Sequence, residues 1–410
     1  MELRFLGGAG EIGRSALLVD DSLLVDYGMA TTTPPQYPVG EVDPDAVVVS
    51  HGHLDHAGAV PALCGGDARP PIHWTPPTRD LAHTLAEDTL SLQGHTPQCP
   101  FTRTDLQRTT QVSTTHGYGE PFAAAGYEVT LYDAGHIPGS AHVLIDDGET
   151  RLLYTGDFHT DDQRLVAGTT ARPDADVVVT ESTYADVTHT PRDDLEREFV
   201  QLLRETVWGG GTAVVPAFAI GRTQEIMLVC DAHDIDCYVD GMGKRVTDLL
   251  LGHPDFLRDA DALRGARSNA RYVEGKPGQR ERIARQNTVI VTTAGMLSGG
   301  PAMTYLPAIR DHPGNTVALT GYQVAGTPGR DLLETGSAEL DGRRMPVSAR
   351  VEQFDFSAHA DQDGLRSFLD AYEGSTVLVV HGDDCAGFAE RLRGDGVDAS
   401  APAIGDTVSV

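Results

Sequence analysis

Between residues 51 and 56 the chain sets four side chains of metal-ligand type: His51, His53, Asp55 and His56. They come directly after the apolar run 46–49. In an extended turn His51 and His53 point one way, while Asp55 and His56 are displaced toward a second point. Neutral imidazole suits zinc, and a carboxylate suits a hard or borderline divalent ion. One zinc cannot take all four neighbours and keep an open catalytic position without strain. Two metals can share them, with ligands brought from elsewhere in the chain. A lone histidine is more often a satisfied or surface residue than a ligand, but an H-x-H-x-D-H run is hard to explain as packing.

Further ligand-type residues stand where an apolar run gives way to a loop. His136 lies in the Gly-rich segment 133–140, and Asp157 lies in 154–158. His359 lies in 356–361, and His381 ends the run 376–381. Metal-assisted hydrolysis is the chemistry such a set performs. Two zinc ions supply a nucleophilic water at neutral pH and clamp a phosphate oxygen.

The elements that must carry these residues are legible from hydrophobic period. Segments 22–26, 46–50, 128–133, 151–154 and 176–180 read as strands. Segments 78–92 and 192–207 read as helices, the second with Pro191 just before it. From about residue 190, strands (212–216, 236–239, 288–292, 316–321) alternate with helices (222–231, 246–251). Alternation of this kind predicts a parallel sheet covered by helices. A strand at 351–355, a helix at 363–371 and a strand at 376–381 follow. The expected organisation is an α/β domain over 1–189 and 351–410, with a second α/β domain inserted at 190–350.

On these residues the chain resembles the metallo-β-lactamase fold and, within it, the β-CASP ribonucleases. Asp26, the 51–56 run, His136 and Asp157 match the four motifs of the fold in order. Glu181, His359 and His381 match the three β-CASP motifs. Segments 8–15, 216–222, 240–242 and 294–301 resemble the nuclease subunit of the cleavage and polyadenylation specificity factor. They resemble its archaeal, haloarchaeal-type homologues without KH domains more than the ribonuclease J branch. The implied fold is an αββα sandwich with an inserted α/β β-CASP domain.

The resemblance also implies roles. His51, His53 and His136 would hold one Zn2+, Asp55, His56 and His381 the other, and Asp157 would bridge the two. Asp26 would orient the ligand run from behind. His359 would face the leaving group, oriented by Glu181. The catalytic set would then be Asp55, Asp157, His359 and Glu181. A histidine at the last motif, here His381, goes with RNA rather than DNA substrates. Expected RNA contacts are Arg222 and the backbone amides of Ser298, Gly299 and Gly300, with Arg330 as a weaker candidate. The implied reaction is endonucleolytic or 5′–3′ exonucleolytic hydrolysis of single-stranded RNA in 3′-end processing or decay. A cleft under the inserted domain would admit the single strand. A homodimer is implied as well, built through C-terminal elements such as the strand-like tail 405–410. The departures from the family pattern are small and touch no ligand. Gly52 stands where alanine is common, and Asp383-Asp384 follow Gly382 where a single glutamate is common.

Composition bounds the rest. The 410 residues carry 60 Asp and Glu against 31 Lys and Arg, a net charge of −29. Only Lys244 and Lys276 are lysine, so 29 of the 31 are arginine. Acidity alone argues against nucleic acid. Acidity with lysine depletion reads instead as adaptation to high salt, where self-repulsion is screened within about 3 Å at 1 M. Five scattered cysteines without a C-x-x-C pair read as free thiols in a reducing compartment. No secretory leader and no run of about 20 apolar residues is present, so a cytoplasmic protein without membrane contact is expected. His142 and His159 stand beside motifs. The remaining histidines carry no assigned role, and Tyr27 and Tyr184 read as packing. Two other functions compete. A small-molecule metallohydrolase would share the first four motifs but lack the inserted domain and the Glu181, His359, His381 set. A silent RNA-binding scaffold would have lost ligands, and none is missing here.

Overall fold

A computed structural model describes residues 1–32, 34–340 and 342–410. It divides the chain into two compact units. The first comprises 1–162, 167–188 and 358–410, and the second comprises 163–166 and 189–357.

Two seven-stranded sheets build the first unit. One runs in the order Thr407–Ser409, Glu2–Gly7, Ala16–Val19, Leu23–Val25, Ala46–Val48, Ile72–Trp74, Ser113–Thr115. The other runs Asp398–Ser400, Thr376–Val379, Val177–Thr180, Arg151–Tyr154, Ala141–Asp146, Tyr127–Asp133, Phe122–Ala124. Their facing residues make one core: Leu3, Phe5, Leu17 and Val25 with Val129, Val143, Leu152 and Val179. The alternate residues of the same strands are also buried. Leu18, Leu24 and Val47 pack with Val60 and Trp74 on the outer side of the first sheet. Leu153 and Val178 pack with Leu365, Phe368 and Phe388 outside the second. Both faces of each sheet are covered, so the strands read as continuous apolar runs rather than alternating ones. The result is the αββα sandwich that the motifs implied.

The second unit holds a six-stranded sheet, entirely parallel, in the order Arg271–Tyr272, Cys237–Asp240, Val289–Thr292, Ala213–Pro216, Thr316–Leu319, Arg350–Gln353. Helices such as Arg222–Ala232, Ala302–Ile309 and Pro328–Thr335 connect the strands. The parallel sheet expected from the alternation is present.

Two boundaries differ from the sequence reading. Strand Arg350–Gln353 pairs in parallel with Thr316–Leu319, so the second unit extends to Ser357 rather than ending at 350. Residues 163–166 also belong to the second unit, although their neighbours on both sides belong to the first. The reason is a buried carboxylate: Glu225 accepts the backbone N–H of Arg164 at 2.9 Å and of Leu165 at 2.8 Å. The tail strand Thr407–Ser409 pairs antiparallel with Glu2–Arg4 of its own chain. The five cysteines are free, and four of them are buried. Among the described residues no helix is long and apolar enough to cross a membrane.

Candidate metal centre

Apart from His136, which follows the antiparallel strand Tyr127–Asp133, the candidate ligands of the first unit leave the C-terminal ends of parallel strands. Strands Arg151–Tyr154, Val177–Thr180 and Thr376–Val379 are parallel neighbours. Just past their ends stand Asp157, Glu181 and His381. In the other sheet Leu23–Val25 and Ala46–Val48 are parallel neighbours, followed by Asp26 and the 51–56 run. The run bends because His53 leads into the short helix Leu54–Ala57, which carries Asp55 and His56. Parallel ladders deliver these ends to one edge, where distant parts of the sequence meet.

They meet in two overlapping groups whose ligand atoms lie within 4.8 Å of one another: His51, His53, His136, Asp157, and Asp55, His56, Asp157, His381. Asp157 belongs to both, and its two oxygens divide between them. Oδ2 lies 3.5 Å from His51 Nε2 and 3.9 Å from His136 Nε2. Oδ1 lies 3.3 Å from His56 Nε2 and 3.6 Å from His381 Nε2. His381 Nε2 is also 3.7 Å from Asp55 Oδ2.

Behind the ligands stands an orienting layer. Asp26 is fully buried and accepts from Ser50 N and Ser50 Oγ, each at 2.7 Å. Its Oδ2 also lies 2.7 Å from His56 Nδ1 and takes the Tyr154 hydroxyl at 3.0 Å. His136 Nδ1 is fastened to the Ala358 carbonyl at 2.8 Å. Such bonds fix the ring and leave the other nitrogen for a metal. Ser15 Oγ sits 3.0 Å from His381 Nδ1, a role the sequence reading did not assign although it quoted the segment. Asp26 and His381 have φ of 59° and 49°, in the left-handed region that non-glycine residues avoid. Backbone strain of this kind collects at functional sites.

The electrostatics fit a divalent cation. Burial holds His51 and His136 well below the usual imidazole range, and holds His53 at about 4. These rings are therefore neutral, as ligands must be. Burial would lower His56 too, but Asp157 and Asp26 outweigh it and raise it well above that range. Burial would raise Asp157, yet His381, His56 and His51 hold it well below the usual carboxylate range. His51 Nε2 is buried with no hydrogen-bond partner, and Asp157 Oδ1 makes no aligned hydrogen bond. Buried polar atoms are normally satisfied, so these two want a partner the protein does not supply. A nitrogen- and oxygen-donor cluster with orphaned lone pairs is the donor set of a zinc-type site.

A third group adjoins the first two: Asp157, Glu181 and His359. Glu181 accepts the Phe158 N–H at 2.7 Å, and its Oε2 lies 2.9 Å from His359 Nδ1. Burial pushes His359 down, but the Glu181 carboxylate overrides it and the ring stands at about 9. Arg222, Ser298, Gly299 and Gly300 lie in the second unit. Arg222 is buried at the start of helix Arg222–Ala232, and 298–300 form the loop before helix Ala302–Ile309. His142 packs against Phe158 and Phe368 and sits 2.8 Å, through Nδ1, from the carbonyl of Thr155.

The fold and this histidine–aspartate centre define a metallo-β-lactamase-fold metal-dependent hydrolase. Residues 9–205 match the metallo-β-lactamase superfamily. Residues 223–332 match the Beta-Casp domain, and 344–402 match the Zn-dependent metallo-hydrolase RNA specificity domain. The chain is 36% identical to RNase aCSPSF2 of Saccharolobus solfataricus, over 100% of this chain and 85% of that protein. It is 31% identical to the probable RNase MJ4 of Methanocaldococcus jannaschii, over the full length of both. Transcription termination factor FttA of Pyrococcus abyssi is 33% identical over 98% of this chain and 70% of its own length. A solved structure of a protein of unknown function from Enterococcus faecalis V583 shares the fold, with TM-score 0.63, 12% identity and 99% coverage of each chain. The chain belongs to the β-CASP family of the metallo-β-lactamase superfamily, beside archaeal relatives named as RNases.

Proposed function

We propose that the protein is a two-zinc ribonuclease that hydrolyses phosphodiester bonds of single-stranded RNA. One observation carries the reading: Asp157 presents one oxygen to each of two histidine groups, while a third side reaches the Glu181–His359 pair. His51, His53 and His136 would hold one ion, and Asp55, His56 and His381 the other, with Asp157 shared. Bound zinc would supply Lewis acidity toward a phosphate oxygen and a nucleophilic water at neutral pH.

The residues of the chain do the rest. Glu181 fixes the His359 ring through Nδ1, so Nε2 is the nitrogen left to serve the substrate. Water, giving up one proton to solvent, attacks phosphorus in line, and the bond to the 3′ oxygen breaks. That oxygen takes its proton from His359 Nε2, leaving a 5′-phosphate and a 3′-hydroxyl. The ribose 2′-hydroxyl is not the nucleophile. The reading extends to cytoplasmic RNA 3′-end processing or decay and to a homodimer, as the motif resemblance implies.

The test separates the metal from the proton donor. Wild-type protein is expected to carry about two zinc ions per chain by elemental analysis and to cut 5′-labelled RNA, with chelator abolishing cleavage. His359→Ala should retain the zinc and lose about 10²–10⁴-fold in kcat. Full activity in that variant removes His359 from the mechanism. Internal labelled fragments indicate endonuclease action, and single labelled nucleotides indicate 5′ trimming.

A further inference from the structure

The parallel sheet of the second unit has a topological switch point, and two exposed aromatic rings stand at it. The connection leaving strand Ala213–Pro216 runs toward one side of the sheet, to Cys237–Asp240. The connection leaving its neighbour Thr316–Leu319 runs toward the other side, to Arg350–Gln353. Where connections diverge from adjacent parallel strands, the C-terminal ends border a crevice, the ligand-binding position of open α/β sheets. Phe218 stands just past the first strand and Tyr322 just past the second, 39% and 41% exposed. Val324, 42% exposed, follows in the same loop. Among the described residues, three of the seven exposed large hydrophobics therefore fall in these two loops.

Hydrogen bonds hold the loops that carry the rings. A Cβ built at Gly321 would lie 3.7 Å from the edge of the Phe218 ring, and one at Gly295 would lie 3.4 Å from it. Glycine at both places leaves the ring uncovered. Gln323 is buried, and its amide reaches the carbonyls of Gly295 at 3.4 Å and Gly321 at 3.1 Å. Thr320 Oγ1 donates to the Pro216 carbonyl at 2.8 Å, tying the two loops together.

Charge selects the occupant. The loops at 217–221, 293–301 and 320–327 contain no Asp or Glu, in a chain where 60 of 410 residues are acidic. Arg222 follows the first loop directly. A polyanion is repelled by an acidic surface and tolerated on an acid-free one. Flat apolar rings carried on loops without acids, although Asp355 follows the adjoining strand Arg350–Gln353, match unpaired nucleobases, which stack on aromatic side chains while their phosphates stay in solvent. We propose that Phe218 and Tyr322 form a base-stacking subsite that engages single-stranded RNA through its bases. This rests on the ribonuclease reading above and adds to it the part of the substrate that is recognised.

The probes are fluorescein-labelled oligouridylate and oligoadenylate ten-mers, and an abasic ribose-phosphate ten-mer of equal charge. Cleavage of the first two by the wild-type holoenzyme tests the ribonuclease reading by itself. Binding is read by anisotropy in full-length His359→Ala protein. There Phe218→Ala and Tyr322→Ala should each weaken binding of the base-bearing probes by about ten- to a hundred-fold. The abasic probe should bind weakly and equally to all variants. Phe218→Tyr and Tyr322→Phe should restore affinity. Unchanged affinity in both alanine variants overturns the subsite, whether or not the wild type cuts RNA. Equal losses on the abasic probe overturn it also. A changed sedimentation coefficient with unchanged RNA affinity would assign the patch to contact between copies of the chain instead.

Discussion

Ser15 shows what a residue away from the ligand run contributes. Its hydroxyl lies 3.0 Å from His381 Nδ1 and 3.5 Å from His56 Nε2. A ligating imidazole needs its other nitrogen held, and losing such a partner typically costs about 10–100-fold in metal affinity. Ser15→Ala is therefore expected to weaken the ion held by Asp55, His56 and His381 by that factor while sparing the other. Competition with a zinc-sensitive dye, read as two separate affinities, checks this; equal affinities in variant and wild type count against it. That the candidate ligands cluster was legible in the sequence because their types are rare at such density. Ser15 was not, because serine is common and only the fold brings residue 15 beside residue 381. Asp26 was legible through its motif, but its four contacts come from Ser50, from His56 on a short helix and from Tyr154 on a strand of the other sheet. Arg222 and the 298–300 amides belong to the other unit, so nothing in their spacing related them to the metal ligands.

At the scale of elements, Gly52 and His142 show how strands and helices press on the centre. A Cβ at Gly52 would lie 2.7 Å from Leu81 Cβ, on helix Pro76–Gln93. Leu81 is fully buried and its Cβ cannot turn aside, so the helix itself must give way. Gly52→Ala, toward the residue common in the family, is expected to cost about 1–3 kcal/mol by overpacking. Chemical denaturation measures it, and a neutral result means the helix shifts freely. His142 is wholly buried on strand Ala141–Asp146, and burial is the first cause that lowers it to about 4. Its folded value lies below the ordinary 6.5, so the unfolded chain binds the proton first as pH falls. Its contribution is complete above pH 6.5 and is lost progressively toward pH 4, up to about 3 kcal/mol. His142→Asn, whose amide can reach the Thr155 carbonyl, should flatten the pH dependence of stability across that window. An unchanged slope would locate the effect elsewhere. The helices and strands that were read match to within a few residues because their apolar faces are clear, but helices Arg103–Gln111, Ala260–Asn269, Ala302–Ile309, Pro328–Thr335 and Cys385–Gly394 and strand Ala141–Asp146 were not read. The excursion of 163–166 was not legible, since it depends on Glu225, some sixty residues away.

For the whole molecule, charge and site are separate quantities. The −29 is a formal sum over every acid and base in the chain, while the centre is a local cluster of histidines and aspartates of metal-ligand type. Adaptation to salt predicts that the thermal midpoint rises as KCl increases toward about 1 M, where the Debye length is about 3 Å. RNA cleavage should persist there, because base stacking and metal–phosphate contact survive screening that weakens a purely ionic RNA binder. A midpoint that falls with KCl would mark the acidity as ordinary.

The order of segments along the chain also sets a schedule. Residues 189–357 are consecutive and make nearly all of the second unit. The first unit needs Thr376–Val379 and Asp398–Ser400 in one sheet and Thr407–Ser409 in the other, all of which follow that insertion. Domains tend to fold as they emerge during synthesis. The inserted unit can thus fold on the ribosome while the centre still lacks His359 and His381. The candidate centre is complete only after the segments beyond the insertion have emerged.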